Sequence, residues 1–144
     1  MRPRFAGAPA LTVLVLCLLA APACRMVGSS SQAVAEDFLD AHYVHINLPT
    51  ALSLASGLAA DKISREMVLT SEVDVAADTL KPRINYRLEH AYEKENGVRY
   101  SYRLTIRPPG LEPYPKRVIL ALSPGEEGWR VTNFSESELP TSGP

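Results

Sequence analysis

From Gln32 to Ile46 apolar side chains recur at helical spacing, with Val34, Phe38 and Ala41 on one side and Ala35, Leu39 and Ile46 beside them. The pattern predicts a first helix with one buried face. Ser30 or Ser31 can cap its start, and Glu36 and Asp37 lie near the first turn, where the helix dipole favours acids. Pro49 lacks the amide a continuing helix needs, so Asn47-Leu48-Pro49 ends the pattern, and Asn47 caps a second helix from about Leu48 to Ser56. Gly57 marks a bend, after which Leu58, Ile63 and Met67 with Ala59 and Val68 predict a third helical piece over Leu58 to Leu69. Residues 70–82 carry no clear period.

After Pro82 the period changes from about 3.6 to 2. Ile84, Tyr86, Leu88, His90 and Tyr92 alternate along one strand, and Val98, Tyr100, Tyr102, Leu104 and Ile106 along the next. A two-residue loop at Asn96-Gly97 would put these two stripes on opposite faces, which a sheet with one core forbids. A three-residue loop, Glu95-Asn96-Gly97 with Gly97 left-handed, pairs Lys94 with Val98, Tyr92 with Tyr100, His90 with Tyr102, Leu88 with Leu104 and Tyr86 with Ile106. The same register sets Glu93 against Arg99 and Glu89 against Arg103, opposite charges in both cases. Pro108 to Pro115 reads as a loop. Arg117 to Leu122 and Trp129 to Phe134 form a second hairpin across Ser123 to Gly128, with Val118, Leu120, Leu122, Trp129 and Val131 facing the core.

Helices followed by an antiparallel meander predict an α+β fold, with N-terminal helices packed on one face of a curved sheet of about four strands. The Phe38-Leu39-x-Ala41 stretch of the first helix, the Leu48-Pro49 break before Ala51 and the closing Gly128-Trp129-Arg130-Val131 strand resemble the nuclear-transport-factor-2-like (cystatin-like) superfamily, in particular its small bacterial lipoproteins. The resemblance spans roughly residues 32 to 136 and is one of pattern. It implies a cone-shaped sheet wrapped around the first helix. Enzymes of that superfamily carry an acid/base pair inside the cone, while many members only bind or assemble.

The N-terminus adds an address. Arg2 and Arg4 precede the apolar run Leu11 to Ala21 and the small-residue stretch Ala21-Pro22-Ala23-Cys24, the layout of a secretory signal over residues 1–23. Cys24 directly after Ala23 resembles a lipobox cysteine, with Ala21 where that motif usually carries Leu; an ordinary cleavage before Cys24 and an uncleaved anchor over Phe5 to Ala23 are the alternatives. Cys17 would leave with the signal, so Cys24 would stand alone with no disulfide partner, and lipidation would cap it. Residues 24–31 then form a tether, 32–139 one domain and 140–144 a polar tail. The expected location is a bacterial cell envelope, lipid-anchored, with a soluble periplasmic or secreted chain as the alternative.

Charge is divided along the chain. Without Arg2 and Arg4 there remain 13 basic and 16 acidic residues, net −3, but residues 31–80 are net −6 and residues 81–117 net +5. Arg87, Arg99, Arg103 and Arg107 fall on the face opposite the apolar stripe, tempered by Glu89 and Glu93. They form either a solvated face or a surface for anionic headgroups, an acidic partner or a second copy. Export and net negative charge disfavour nucleic acid.

No Gly-rich phosphate loop, G-x-S-x-G or C-x-x-C pattern occurs, and no cofactor is implied. His42 and His45 share a helix edge at three-residue spacing without a visible third ligand, so no metal site is assigned. Tyr86, His90, Tyr92, Tyr100 and Tyr102 are expected on one face, as core or as the lining of a pocket. In the pocket reading His90 and Tyr102, with Asp37 and Tyr43 from the first helix, could serve a small-molecule isomerase, cyclase or hydrolase. The leading expectation is a non-enzymatic envelope-anchored domain that binds a partner protein, a second copy or a small ligand. A structural accessory domain acting through the basic sheet face is the third.

Overall fold

The computed structural model describes residues 29–71 and 81–140; the leader, Cys24 and residues 141–144 lie outside the described residues. Helix α1 spans Ser31–Leu39 and runs on as a single π-helical turn over Asp40–Val44, followed by α2 (Leu48–Ser53) and α3 (Gly57–Thr70). Four strands follow: β1 (Arg83–Lys94), β2 (Gly97–Arg107), β3 (Tyr114–Gly125) and β4 (Gly128–Glu138). They pair consecutively as an antiparallel meander, and the helices cover one face, as an α+β fold requires.

The helix boundaries follow from side-chain chemistry. The Ser30 hydroxyl accepts the Ala33 amide at 3.1 Å, and the Asn47 side chain accepts the Thr50 amide at 3.2 Å with Pro49 in the first turn of α2. Between them the first helix widens: the His45 amide reaches the Asp40 carbonyl at 2.8 Å and the Asn47 amide the Ala41 carbonyl at 2.7 Å. Ile46 closes this turn in the left-handed region (φ 52°), a position normally given to glycine. The widened turn brings both Ala41 and His42 into the buried set.

Val98, Tyr100, Tyr102, Leu104 and Ile106 of β2, Val118, Leu120 and Leu122 of β3, and Val131 and Phe134 of β4 pack beneath Val34, Phe38, Leu39, Ala51 and Ile63. Trp129, expected in the core, is half-buried at its margin. The link between α2 and α3 docks on the β4 edge, where the Ser56 amide donates to the Val131 carbonyl at 2.8 Å and the Val131 amide to the Leu54 carbonyl at 2.9 Å. Gly57 (φ +54°) then turns the chain into α3.

The first hairpin departs from its expected register. Lys94 pairs with Gly97, so the loop is Glu95-Asn96, and Tyr92 pairs with Arg99 and His90 with Ser101. Glu89 is then an extra residue, and beyond it Leu88 pairs with Tyr102, Tyr86 with Leu104 and Ile84 with Ile106. A bulge of one residue reverses the in/out alternation of β1 at Glu89, which strict period-2 reading does not allow for. Gly97 is not left-handed. Its role is close approach, since a Cβ there would lie 2.3 Å from the Leu122 carbonyl oxygen. The expected Glu93–Arg99 opposition is lost, because Glu93 pairs with Val98. The Glu89–Arg103 ion pair forms at 3.8 Å even though the two residues are not cross-strand partners.

Candidate functional site

The bulge divides the tyrosine and histidine set. Tyr86, Tyr100 and Tyr102 lie on the helix-covered face, whereas His90 and Tyr92 lie on the opposite face with Arg99, Ser101 and Ile119. The common pocket lining expected of these five residues is therefore corrected, and the cause is one inserted residue.

On the covered face the tyrosines are held by α1 and its π turn. The Tyr86 hydroxyl donates to Asp40 Oδ1 at 3.0 Å, and the Tyr100 hydroxyl lies 2.8 Å from Ser31 Oγ. Burial, then the Asp40 carboxylate, pushes the Tyr86 hydroxyl's pKa up. Tyr102 has no exposed surface, its ring meets Tyr86 edge-on, and its hydroxyl lies within hydrogen-bonding distance and geometry of no partner among the described residues. Burial first, then the nearby Glu36 charge, raises its pKa. Tyr102 therefore sits in a filled core.

The groups proposed for catalysis do not converge. His90 is on the outer face, Tyr102 is in the core, and Asp37 lines a cleft of about 330 Å³ beside Asp40 and His45 on the helical side. Tyr43 donates to Glu136 Oε1 at 2.6 Å, and burial together with that carboxylate raises its pKa. Lys116 completes the contact at 2.6 Å from Glu136 Oε2. Burial works against ionisation of Glu136, but the bonds from Lys116 and Tyr43 prevail and hold its carboxyl below the usual value.

His42 and His45 also separate. His42 is buried between Phe38, Tyr43 and Phe134, with its Nε2 donating to Glu66 Oε2 at 2.6 Å and its Nδ1 without a partner. His45 is exposed in the small cleft. Among the described residues no cluster of three His, Cys, Asp or Glu is placed to hold a metal. Lys62 of α3 donates to the Asn133 side chain at 2.9 Å and to the Phe134 carbonyl. These contacts fasten the π turn and α3 to β4. Glu66, Glu136, Lys116 and Lys62 were missed by sequence reasoning, because each partner is distant in the chain and has no motif spacing.

The outer face carries the basic stripe. Arg87, Arg103 and Arg117 stand in one row across three strands, and Glu89 reaches Arg117 at 3.2 Å and Arg103 at 3.8 Å, relieving the like-charge row. Arg99 lies further along β2, toward the hairpin tip, and Arg107 at the other end, opposite Arg83. At the hairpin-tip end of the sheet a cleft of about 670 Å³ opens between Ser31, the β1–β2 tip, Tyr100 and Trp129. No described helix is long and apolar enough to cross a membrane.

No protein-family model and no curated protein matches the chain. Among solved structures, a Thiobacillus denitrificans protein assigned to the calcium/calmodulin-dependent protein kinase type II association domains superposes with a TM-score of 0.59. It is 13% identical, and the match covers 76% of this chain and 94% of that one. The likeness is one of fold: helices packed on one face of a four-stranded antiparallel sheet.

Proposed function

We propose that this chain is an exported domain, held at a bacterial envelope by a lipid on Cys24, that binds a partner protein or small ligand without catalysing a reaction. The observation that carries the non-enzymatic reading is the filled covered face. Tyr102 is fully buried beneath the helices, and the groups that acid/base chemistry would need together lie on separate surfaces. A covered sheet face filled by its own side chains leaves no reaction chamber on that side and leaves the outer surfaces for a partner. The anchored reading is supported by the basic start, the short apolar run and the Ala21-Pro22-Ala23-Cys24 stretch.

The test is intact mass and detergent partitioning of the chain expressed with its own N-terminus in a bacterium, beside Cys24→Ser. A diacylglyceryl mass on the wild type, absent from the variant, is the expected result. A soluble chain beginning at Cys24 would overturn the anchor and favour a secreted protein, and an uncleaved chain would favour a membrane-spanning leader. A second reading, assembly through the outer sheet face, is favoured by Arg99, which is exposed and has no ion pair among the described residues. It predicts a complex that weakens as salt rises and that Arg99→Glu with Arg103→Glu abolishes, read by sedimentation.

A further inference from the structure

The bulge at Glu89 does more than reverse a strand. It brings His90 opposite Ser101, with Ile119 next across the sheet, so that these three form one row on the outer face. The row on one side holds Arg117 and the row on the other holds Arg99 beside Tyr92, with Lys94 beyond. Successive rows on one face are spaced about 7 Å along the strands, so cationic heads from both sides can reach the row between them, which holds no Lys or Arg. Together His90, Tyr92, Lys94, Arg99, Ser101 and Arg117 line a groove of about 450 Å³ floored in part by Ile119.

Ser101 adds an unpartnered polar group to the groove. The residue is 5% exposed, it lines this groove, and its hydroxyl makes no hydrogen bond among the described residues. A hydroxyl of a nearly buried residue, unpartnered and lining a groove beside cations, is suited to a ligand oxygen. The charge balance has the matching sign. Glu89 is engaged by Arg103 and Arg117, Glu93 lines the cleft around Ser31 and Tyr100, and Arg99 and Lys94 have no ion-pair partner among the described residues. The apolar share of the lining comes from Ile119 and from Tyr92, which is 53% exposed and leans on His90 with ring centroids 5.9 Å apart.

We infer that this groove is a binding site for a phosphate monoester carried on an apolar or aromatic body. A dianion with several acceptor oxygens satisfies the Ser101 hydroxyl, the Arg99 fork and the Lys94 ammonium together, as a single carboxylate would not. The body lies along Tyr92 and Ile119. This deepens the ligand-binding part of the function proposed above and rests on it, while being independent of the lipid anchor.

The test titrates the full chain, as recovered from the expressing bacterium, with phenyl phosphate and with inorganic phosphate by calorimetry. It also measures sedimentation with vesicles of phosphatidylcholine, with and without phosphatidic acid, whose headgroup is itself a phosphate monoester. Saturable binding of phenyl phosphate, tighter than inorganic phosphate and weakened about tenfold or more by Lys94→Gln with Arg99→Gln, is expected. The same loss confined to phosphatidic acid vesicles supports the site with a lipid source. Removal of two charges elsewhere on that face, Arg83→Gln with Arg107→Gln, should leave the binding of phenyl phosphate unchanged. Absence of saturable binding in both arms overturns the inference, as does equal weakening by the two double variants. Both altered sites are exposed strand positions, and circular dichroism verifies that each variant is folded. The anchor reading is scored separately by mass, so failure here and failure there are distinguishable.

Discussion

Glu136 illustrates how single residues in this molecule owe their state to partners far away in the chain. Its carboxylate accepts from Tyr43 of the π turn and from Lys116 of β3, both at 2.6 Å. A carboxyl held below its ordinary value of 4.5 contributes stability that is present above that value and is lost as pH falls through the lower folded value. Glu136→Gln should therefore lower stability at neutral pH and flatten the acid side of the stability curve, measured by denaturant melts at stepped pH. Parallel curves for the two proteins would show that the Lys116 and Tyr43 contacts carry no net weight. His42 is the other such residue: Phe38 and Tyr43 are near it in sequence, but Phe134 of β4 and Glu66 of α3 close its surroundings from distant segments.

At the level of elements, hairpin geometry decides which side chains meet. Period 2 identified both β1 and β2, and the apolar stripe of β2 was legible in full, with Val98, Tyr100, Tyr102, Leu104 and Ile106 all buried. The stripe of β1 was legible only up to Leu88, because a bulge leaves no mark in polar/apolar alternation. Opposite charges do not establish register for the same reason, since Glu89 meets Arg103 from a bulged position. The hairpin spacing predicts a left-handed Gly97, yet glycine is needed there because β3 passes close to it. Gly97→Ala should destabilise the fold by about 1–3 kcal/mol through the clash with the Leu122 carbonyl, read from the denaturation midpoint. An unchanged midpoint would mean the β2–β3 ladder yields at that point without cost.

Across the whole molecule, the relation between the helix layer and the sheet determines whether the tyrosine face is a pocket or a core. If it were a wet pocket, removing the Tyr102 hydroxyl would be neutral or costly. In a dry core an unpartnered buried hydroxyl is a burden, so Tyr102→Phe should raise stability by about 1 kcal/mol, measured by thermal and denaturant unfolding. A loss of stability would reveal a partner for the hydroxyl and reopen the covered face as a binding site. The sequence by itself determined the α+β class, the two hairpins, the Asn47 cap, a serine cap at Ser30 or Ser31 and most of the core. These depend on local periodicity and on backbone groups a few residues away, which composition and spacing record. Only the tertiary structure decided that His90 and Tyr92 face outward, that His42 is enclosed with Glu66, and that Ser101 lies in a cationic groove. Those facts depend on one inserted residue in a strand, one widened helical turn and contacts between distant segments, and packing of the whole chain selects them.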